Sequence, residues 1–174
     1  MKRFLFIPLL AIVAIFSGFR PGKDGVVYNS AEGHFTINFP GAPEESSQDG
    51  QTEDGVIFKV NIATYAASES EVYMAGWIDM RTFYPKDPNM KQMLENERDF
   101  ATAGMNAIKV TTLETNLGPN PYIEFTFVTE QVMCKERIYL INKYQYSVLT
   151  IFGLKTGILP TADKFIASFK TVQG

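Results

Sequence analysis

Side chains able to carry chemistry are few in kind here and far apart in the chain. The 174 residues contain one histidine, His34, and one cysteine, Cys134. A nucleophilic cysteine needs a base within hydrogen-bond reach, and about a hundred residues with no shared motif separate these two. Cys134 lies between Met133 and Lys135 in a strand-like run, where a cysteine behaves as a small buried hydrophobe; alone, it closes no intramolecular disulfide. His34 precedes a strong strand, a place for an exposed or edge histidine. Carboxylates gather at Glu44, Glu45, Asp49, Glu53 and Asp54. They suit Ca²⁺ or Mg²⁺ in chemistry but lack the alternate-residue spacing of an EF-hand loop, so a solvated acidic loop is expected. Glu95, Glu97 and Asp99 suggest the paired acids of glycoside hydrolysis. Residues two apart do not share a helix face, however, and Lys91 with Glu95 makes an ordinary i,i+4 surface pair. The serine-hydrolase, P-loop and dinucleotide signatures are missing. No residue is therefore assigned as catalytic, cofactor-binding or metal-ligating.

Aromatic side chains offer a different chemistry. In the run from Glu71 to Met80, Tyr73, Ala75, Trp77 and Asp79 alternate with Val72, Met74, Gly76, Ile78 and Met80. A strand apolar on both sides belongs inside a sheet covered on both faces, so a helix is expected to cover Trp77. The competing reading makes Tyr73 and Trp77 an aromatic surface for a glycan or protein partner, since such residues are enriched at binding hot spots. Tyr139, Tyr144, Tyr146 and Phe152 read as core, with an aromatic-lined groove as the alternative.

These residues must be positioned by strands and two helices. Phe35, Ile37 and Phe39 alternate with Thr36 and Asn38, and period two implies a half-buried strand. Residues 44–54 are polar and aperiodic and read as an exposed hairpin loop. Alternation returns over 56–65 and 71–80, two strands expected to pair antiparallel. The period then changes: Met90, Met93, Leu94, Glu97, Phe100 and Ala101 fall at helical spacing, which predicts a helix over 88–103, capped by Asp87 and ended by Gly104. Strands over 107–115 and around Ile123, Phe125 and Phe127 follow. Residues 136–152 predict two strands joined tightly at Asn142-Lys143, where asparagine tolerates positive φ. Ala162, Phe165, Ile166 and Phe169 predict a last helix over 160–170. Hairpin-linked strands interrupted by one helix and closed by another give an α+β class, a central antiparallel sheet with helices packed on it.

Lys2 and Arg3 precede an uncharged apolar run from Phe4 to Phe16, the order of an export signal. A spanning helix needs about 20 apolar residues, and Pro8, Ser17, Gly18 and Arg20 shorten the usable stretch. The expected organisation is a signal over 1–18, a short linker over 19–25 and one domain over 26–174. The net charge of −3 becomes −5 without Lys2 and Arg3, which argues against nucleic acid and anionic membranes as partners. Membrane attachment is expected only if the signal segment is retained. Hydrophobic and charged fractions of 45% and 20% are those of a globular domain.

The segments GHFTINFPGAP, EVYMAGWIDM leading into a helix, GPNPYIEFTF, CKERIYLINKYQYSVLTIF and DKFIASFK together resemble the PsbP/DcrB-like exported domains, over nearly the whole mature chain. The resemblance implies an α/β/α sandwich found in lumenal and periplasmic accessory proteins, and no enzyme activity. PsbP proteins stabilise the metal cluster of photosystem II, but no residue here matches a ligand motif that could be carried across. DcrB-like members are usually lipoproteins, and this chain lacks the required cysteine. The expected protein is an exported, periplasmic or extracellular, non-enzymatic accessory or binding module of the cell envelope that takes an envelope protein or a small ligand. The rival reading is a hydrolase whose carboxylates converge from separate strands, and a third is a purely structural surface protein. Intact-mass measurement on the protein isolated from its own cells should show loss of the first 18 or so residues; an intact Met1 in the membrane fraction would favour an anchor.

Overall fold

The computed structural model describes residues 25–52 and 54–172. The expected signal, 1–18, lies outside the described residues, as does nearly all of the expected linker. In chain order the elements are β1 (Val26–Ser30), β2 (Phe35–Phe39), β3 (Glu44–Gln51), β4 (Ile57–Ser68), β5 (Glu71–Asp79), α1 (Met90–Gly104), β6 (Lys109–Asn116), β7 (Tyr122–Val128), β8 (Val132–Ile141), β9 (Tyr144–Gly153), α2 (Pro160–Ala167) and β10 (Lys170–Thr171). Seven of the strands form one antiparallel sheet in the order β3-β4-β5-β9-β8-β7-β6, and β1-β2-β10 form a second, smaller sheet. α1 carries the chain from β5 at the middle of the large sheet to β6 at its far edge. Three hairpin connections then bring it back until β9 pairs with β5.

Strand alternation divides the interior in two. Val72, Met74 and Ile78 of β5 pack with Leu94 of α1, while Tyr73 and Ala75 of the same strand pack with Ala162, Phe165 and Ile166 of α2. The helices therefore cover opposite faces, and the small sheet joins α2 by contributing Phe35, Ile37 and Phe39. Rings lock that second core together: Phe165 sits 4.9 Å from Phe39 and 5.2 Å from Tyr73, and Phe169 sits 4.6 Å from Tyr139. Tyr139, Tyr144, Tyr146 and Phe152 are all buried here.

Several boundaries differ from the expected ones for local reasons. The segment read as an acidic loop is largely strand, since β3 pairs along its length with β4 from Glu44↔Thr64 to Gln51↔Ile57. It is an edge strand, and an edge gains order from backbone pairing on one side while charges on its side chains keep the other side from recruiting a further strand. The cap of α1 is Asn89 rather than Asp87, its side chain accepting from Gln92 N–H at 3.1 Å. Two residues beyond Gly104 the chain reverses at Asn106 (φ 54°), where Asn106 N–H bonds Ala103 C=O and Ala107 N–H bonds Thr102 C=O. Those two bonds make a Schellman ending with asparagine in the left-handed position usually held by glycine. α2 stops at Ala167 because its final residues turn into β10, which pairs with β2. The β8–β9 hairpin turns at Asn142 and Lys143, both with positive φ (51° and 63°), as a two-residue primed turn requires.

Phe165 joins α2 to both sheets at 2% exposure. Phe165→Ala should cost about 3–5 kcal/mol of unfolding free energy, whereas Val27→Ala, at a side chain 68% exposed, should change it by less than about 0.5 kcal/mol. Urea titrations of the two variants against the parent check both values.

Candidate functional site

The two sheets do not close on each other completely. At their seam, beyond the reach of α2, a groove of about 510 Å³ runs between the end of β1 with its following turn and the faces of β3, β4 and β5. Tyr28, Asn29, Ser30 and Glu32 line one side, Glu45, Ser47 and Asn61 the other, with Trp77 forming an aromatic wall. The volume is that of a small-molecule site. Its chemistry is set by the sequence on either side: short hydroxyl and amide side chains at a strand end, and a polar edge strand opposite. Among the described residues that line it there is no lysine, arginine or histidine, and both charged ones are carboxylates. Burial, and then a hydrogen bond with Glu45, push the Tyr28 phenol up to about 12, so it stays a neutral donor in the groove lining.

Trp77 owes its place to Gly33. A side chain at Gly33 would bring a Cβ to 2.8 Å from Trp77 Cδ1 and 2.7 Å from Ser30 Oγ, and the turn is held in place by Gly33 N–H donating to Ser30 Oγ at 3.0 Å. Only glycine lets this turn rest on the indole. The ring also meets Tyr144 at 6.2 Å and is half-buried. The expectation that a helix covers Trp77 is thus corrected: α2 covers Tyr73, and four residues further along the strand, roughly 13 Å, the cover is the β1–β2 turn. Tyr73 in turn is corrected as a surface residue. It is fully buried, its hydroxyl donating to Glu71 Oε1 at 2.6 Å and lying 2.8 Å from Thr161 Oγ1 of α2. The two-residue aromatic platform does not form, and Trp77 alone reaches a groove.

The other singled-out residues disperse. His34 occupies the β1–β2 turn at φ 55° with its ring 5.7 Å from Tyr144, outside the lining of the groove. Cys134 is fully buried, and burial pushes its thiol well above the usual range. Among the acids of 44–54, Asp49 pairs with Lys59 at 2.8 Å and Glu45 faces the groove; Glu53 lies outside the described residues. Glu95 makes its surface pair with Lys91. Glu97 does not belong with it on the surface: it is buried against the sheet. Its place in the apolar spacing of α1, between Leu94 and Ala101, was the available signal.

Sequence reading missed two polar groups that only pairing assembles. Beneath α1, Gln145 of β9 donates to Glu97 Oε2 at 3.0 Å and Ser147 donates to Glu136 Oε1 at 2.5 Å. On the α2 face, Glu124 of β7 accepts from Lys135 and Arg137 of β8, and Lys135 also reaches Asp163 of α2 at 2.5 Å. The Arg137 guanidinium lies 4.6 Å over the Tyr122 ring. With two cations against two carboxylates this second network is internally neutralised and pins α2 to the sheet.

No family model matches the chain, and no curated protein matches it in sequence. Among solved structures it is similar to the solution structure of cyanobacterial PsbP (CyanoP) from Synechocystis sp. PCC 6803, with a TM-score of 0.52 and 8% identity over 85% of this chain and 92% of that one. At that identity the likeness shows the fold: two helices on a large antiparallel sheet, a PsbP-like α+β architecture. Among the described residues no helix is long and apolar enough to cross a membrane. Because Gly33 rests on the indole, Gly33→Ala should red-shift Trp77 emission, increase its quenching by acrylamide and cost about 1–3 kcal/mol. Unaltered emission would mean that the turn does not touch Trp77.

Proposed function

We propose that this chain is an exported, non-enzymatic binding module of the cell envelope that takes a small polar ligand, neutral or cationic, in the Trp77 groove. The groove itself carries the reading. It offers hydrogen-bonding groups from Asn29, Ser30, Ser47 and Asn61, an indole wall, and a lining whose only charges among the described residues are the carboxylates of Glu32 and Glu45. Uncompensated carboxylates repel anions, and an aromatic face beside them attracts ammonium or guanidinium groups or stacks on a sugar ring. The PsbP-like fold and the signal-like N-terminus agree with a role outside the cytoplasm.

The rival hydrolase needs convergent carboxylates that a substrate can reach. Glu32 and Glu45 share the groove from separate elements, which is the observation in its favour, but His34 is not with them. Glu97 and Glu136, two carboxyls near each other, are buried between α1 and the large sheet, out of a substrate's reach.

An NMR titration of the ¹⁵N-labelled protein with tetramethylammonium, L-arginine, maltotriose and citrate separately tests the reading. Shifts should cluster on residues 28–32, 45–47 and 61 and on the Trp77 indole for one or more of the first three, and citrate should cause none. Glu45→Gln should weaken an ammonium ligand by up to about fivefold, the weight of one solvent-exposed ion pair. Absence of groove shifts with all four would overturn the proposal, and fragmentation of the saccharide would favour the hydrolase.

A further inference from the structure

Glu97 of α1 and Glu136 of β8 lie in the interface between α1 and the large sheet, 8% and 2% exposed, and among the described residues no cation meets either of them. Strand register shows why. Glu136 sits between Phe125 of β7 and Leu149 of β9, and Gln145 between Ile78 of β5 and Leu140 of β8. Lys135 and Arg137 flank Glu136 in sequence, but alternation sends them to the opposite face, where Glu124 and Asp163 hold them. Arg98, next to Glu97 on α1, turns outward to Asp99 and Thr112. Among the described residues, the titratable groups on this interface are therefore the two carboxyls, Cys134 of β8, whose thiol Glu136 helps to keep protonated, and Tyr84, which packs on the same core from the segment before α1. β7 presents Ile123, Phe125 and Phe127 to this interface, and β5 presents Met74 and Ile78.

Hydrogen bonding is also one-sided. The cluster holds the amide N–H groups of Gln145 and the hydroxyl of Ser147 as donors, against four carboxyl oxygens and the Gln145 carbonyl as acceptors. Two buried oxygens, Glu136 Oε2 and Gln145 Oε1, have no hydrogen-bond partner among the described residues. Ionised carboxylates in such a place would be two like charges in an apolar interior, unpaired and short of donors. Neutral carboxyls remove both charges and supply two more hydrogens.

We propose that Glu97 and Glu136, with Gln145 and Ser147, form a proton-binding latch that holds α1 on the sheet while both carboxyls are protonated and releases the helix as they ionise. Burial is the first cause that raises both groups, Glu97 to about 8, with the nearby Glu136 adding to it, and Glu136 to about 7. An undocked helix would expose them to water, where a glutamate titrates near 4.5. The docked state thus binds more protons than the undocked state above that value. Its stabilisation is complete below about pH 4.5 and is lost as pH rises through about 7 and then 8. Release would uncover Leu94, Met93 and Phe100 of α1 and the apolar sheet face beneath them.

Two measurements on the purified full chain test the latch. ¹³C-glutamate NMR should show two carboxyl resonances titrating near neutrality, one lost in Glu97→Gln and the other in Glu136→Gln. Hydrogen exchange, corrected for intrinsic rate, should show the α1 amides losing at least about 100-fold in protection between pH 6 and pH 9, since each carboxyl contributes about tenfold per pH unit across its range. The double variant Glu97→Gln/Glu136→Gln should remove that slope. The proposal is overturned if both carboxyls titrate in the ordinary glutamate range, if α1 protection is flat with pH, or if the double variant keeps the parent slope. Should the double variant not fold, the carboxyl titration of the unaltered protein still decides.

Discussion

Strands β5 and β9 pair at the middle of a sheet that is covered on both faces, and most of the molecule is arranged to satisfy them. Every position of β9 from Tyr144 to Phe152 is buried, so neither face can be given to water. A strand in that situation needs cover from two independent sources, because one helix can shield only one face. α1 supplies the first as it crosses to the far edge, and α2 with the small sheet supplies the second. Apolar burial on this scale, at about 25 cal/mol per Å², is the main driving force available to a chain with a single cysteine and no disulfide.

The same constraint creates the two unusual regions. Residues 145 and 147 of β9 are polar yet must lie inside, so they draw Glu97 and Glu136 into a shared interior cluster. Polar groups in a core are tolerated only when they answer one another, and here the answer is incomplete without protons. On the opposite face, the cover runs out before the strand does. α2 reaches Tyr73 but not Trp77, and the turn that takes over packs through a glycine, leaving a groove where a helix would have left none.

Much of the fold was legible in the residues. Period-two alternation at Phe35–Phe39 and in β5 marked strands and their faces, the change to three-and-four spacing after Pro88 marked α1, and Asn142-Lys143 marked a turn whose positive φ the structure shows. The errors fell where side chains carry little information. β3 is polar throughout and owes its order to backbone pairing with β4, which no composition reveals. The cap of α1 moved from Asp87 to Asn89, two residues of similar capping ability in competition.

By itself, the sequence determined the class, an α+β domain with both sheet faces apolar, because hydrophobic period is a local property of consecutive residues. It also determined that Cys134 would be a buried side chain rather than a disulfide partner. Only the tertiary structure decided which polar residues meet. Glu97 and Gln145 are 48 residues apart, Glu136 and Ser147 meet diagonally across a hairpin, and Tyr28 and Trp77 line one groove from different sheets. Strand register and helix placement bring such pairs together, and these depend on how the whole chain buries its apolar surface at once, which local spacing does not encode.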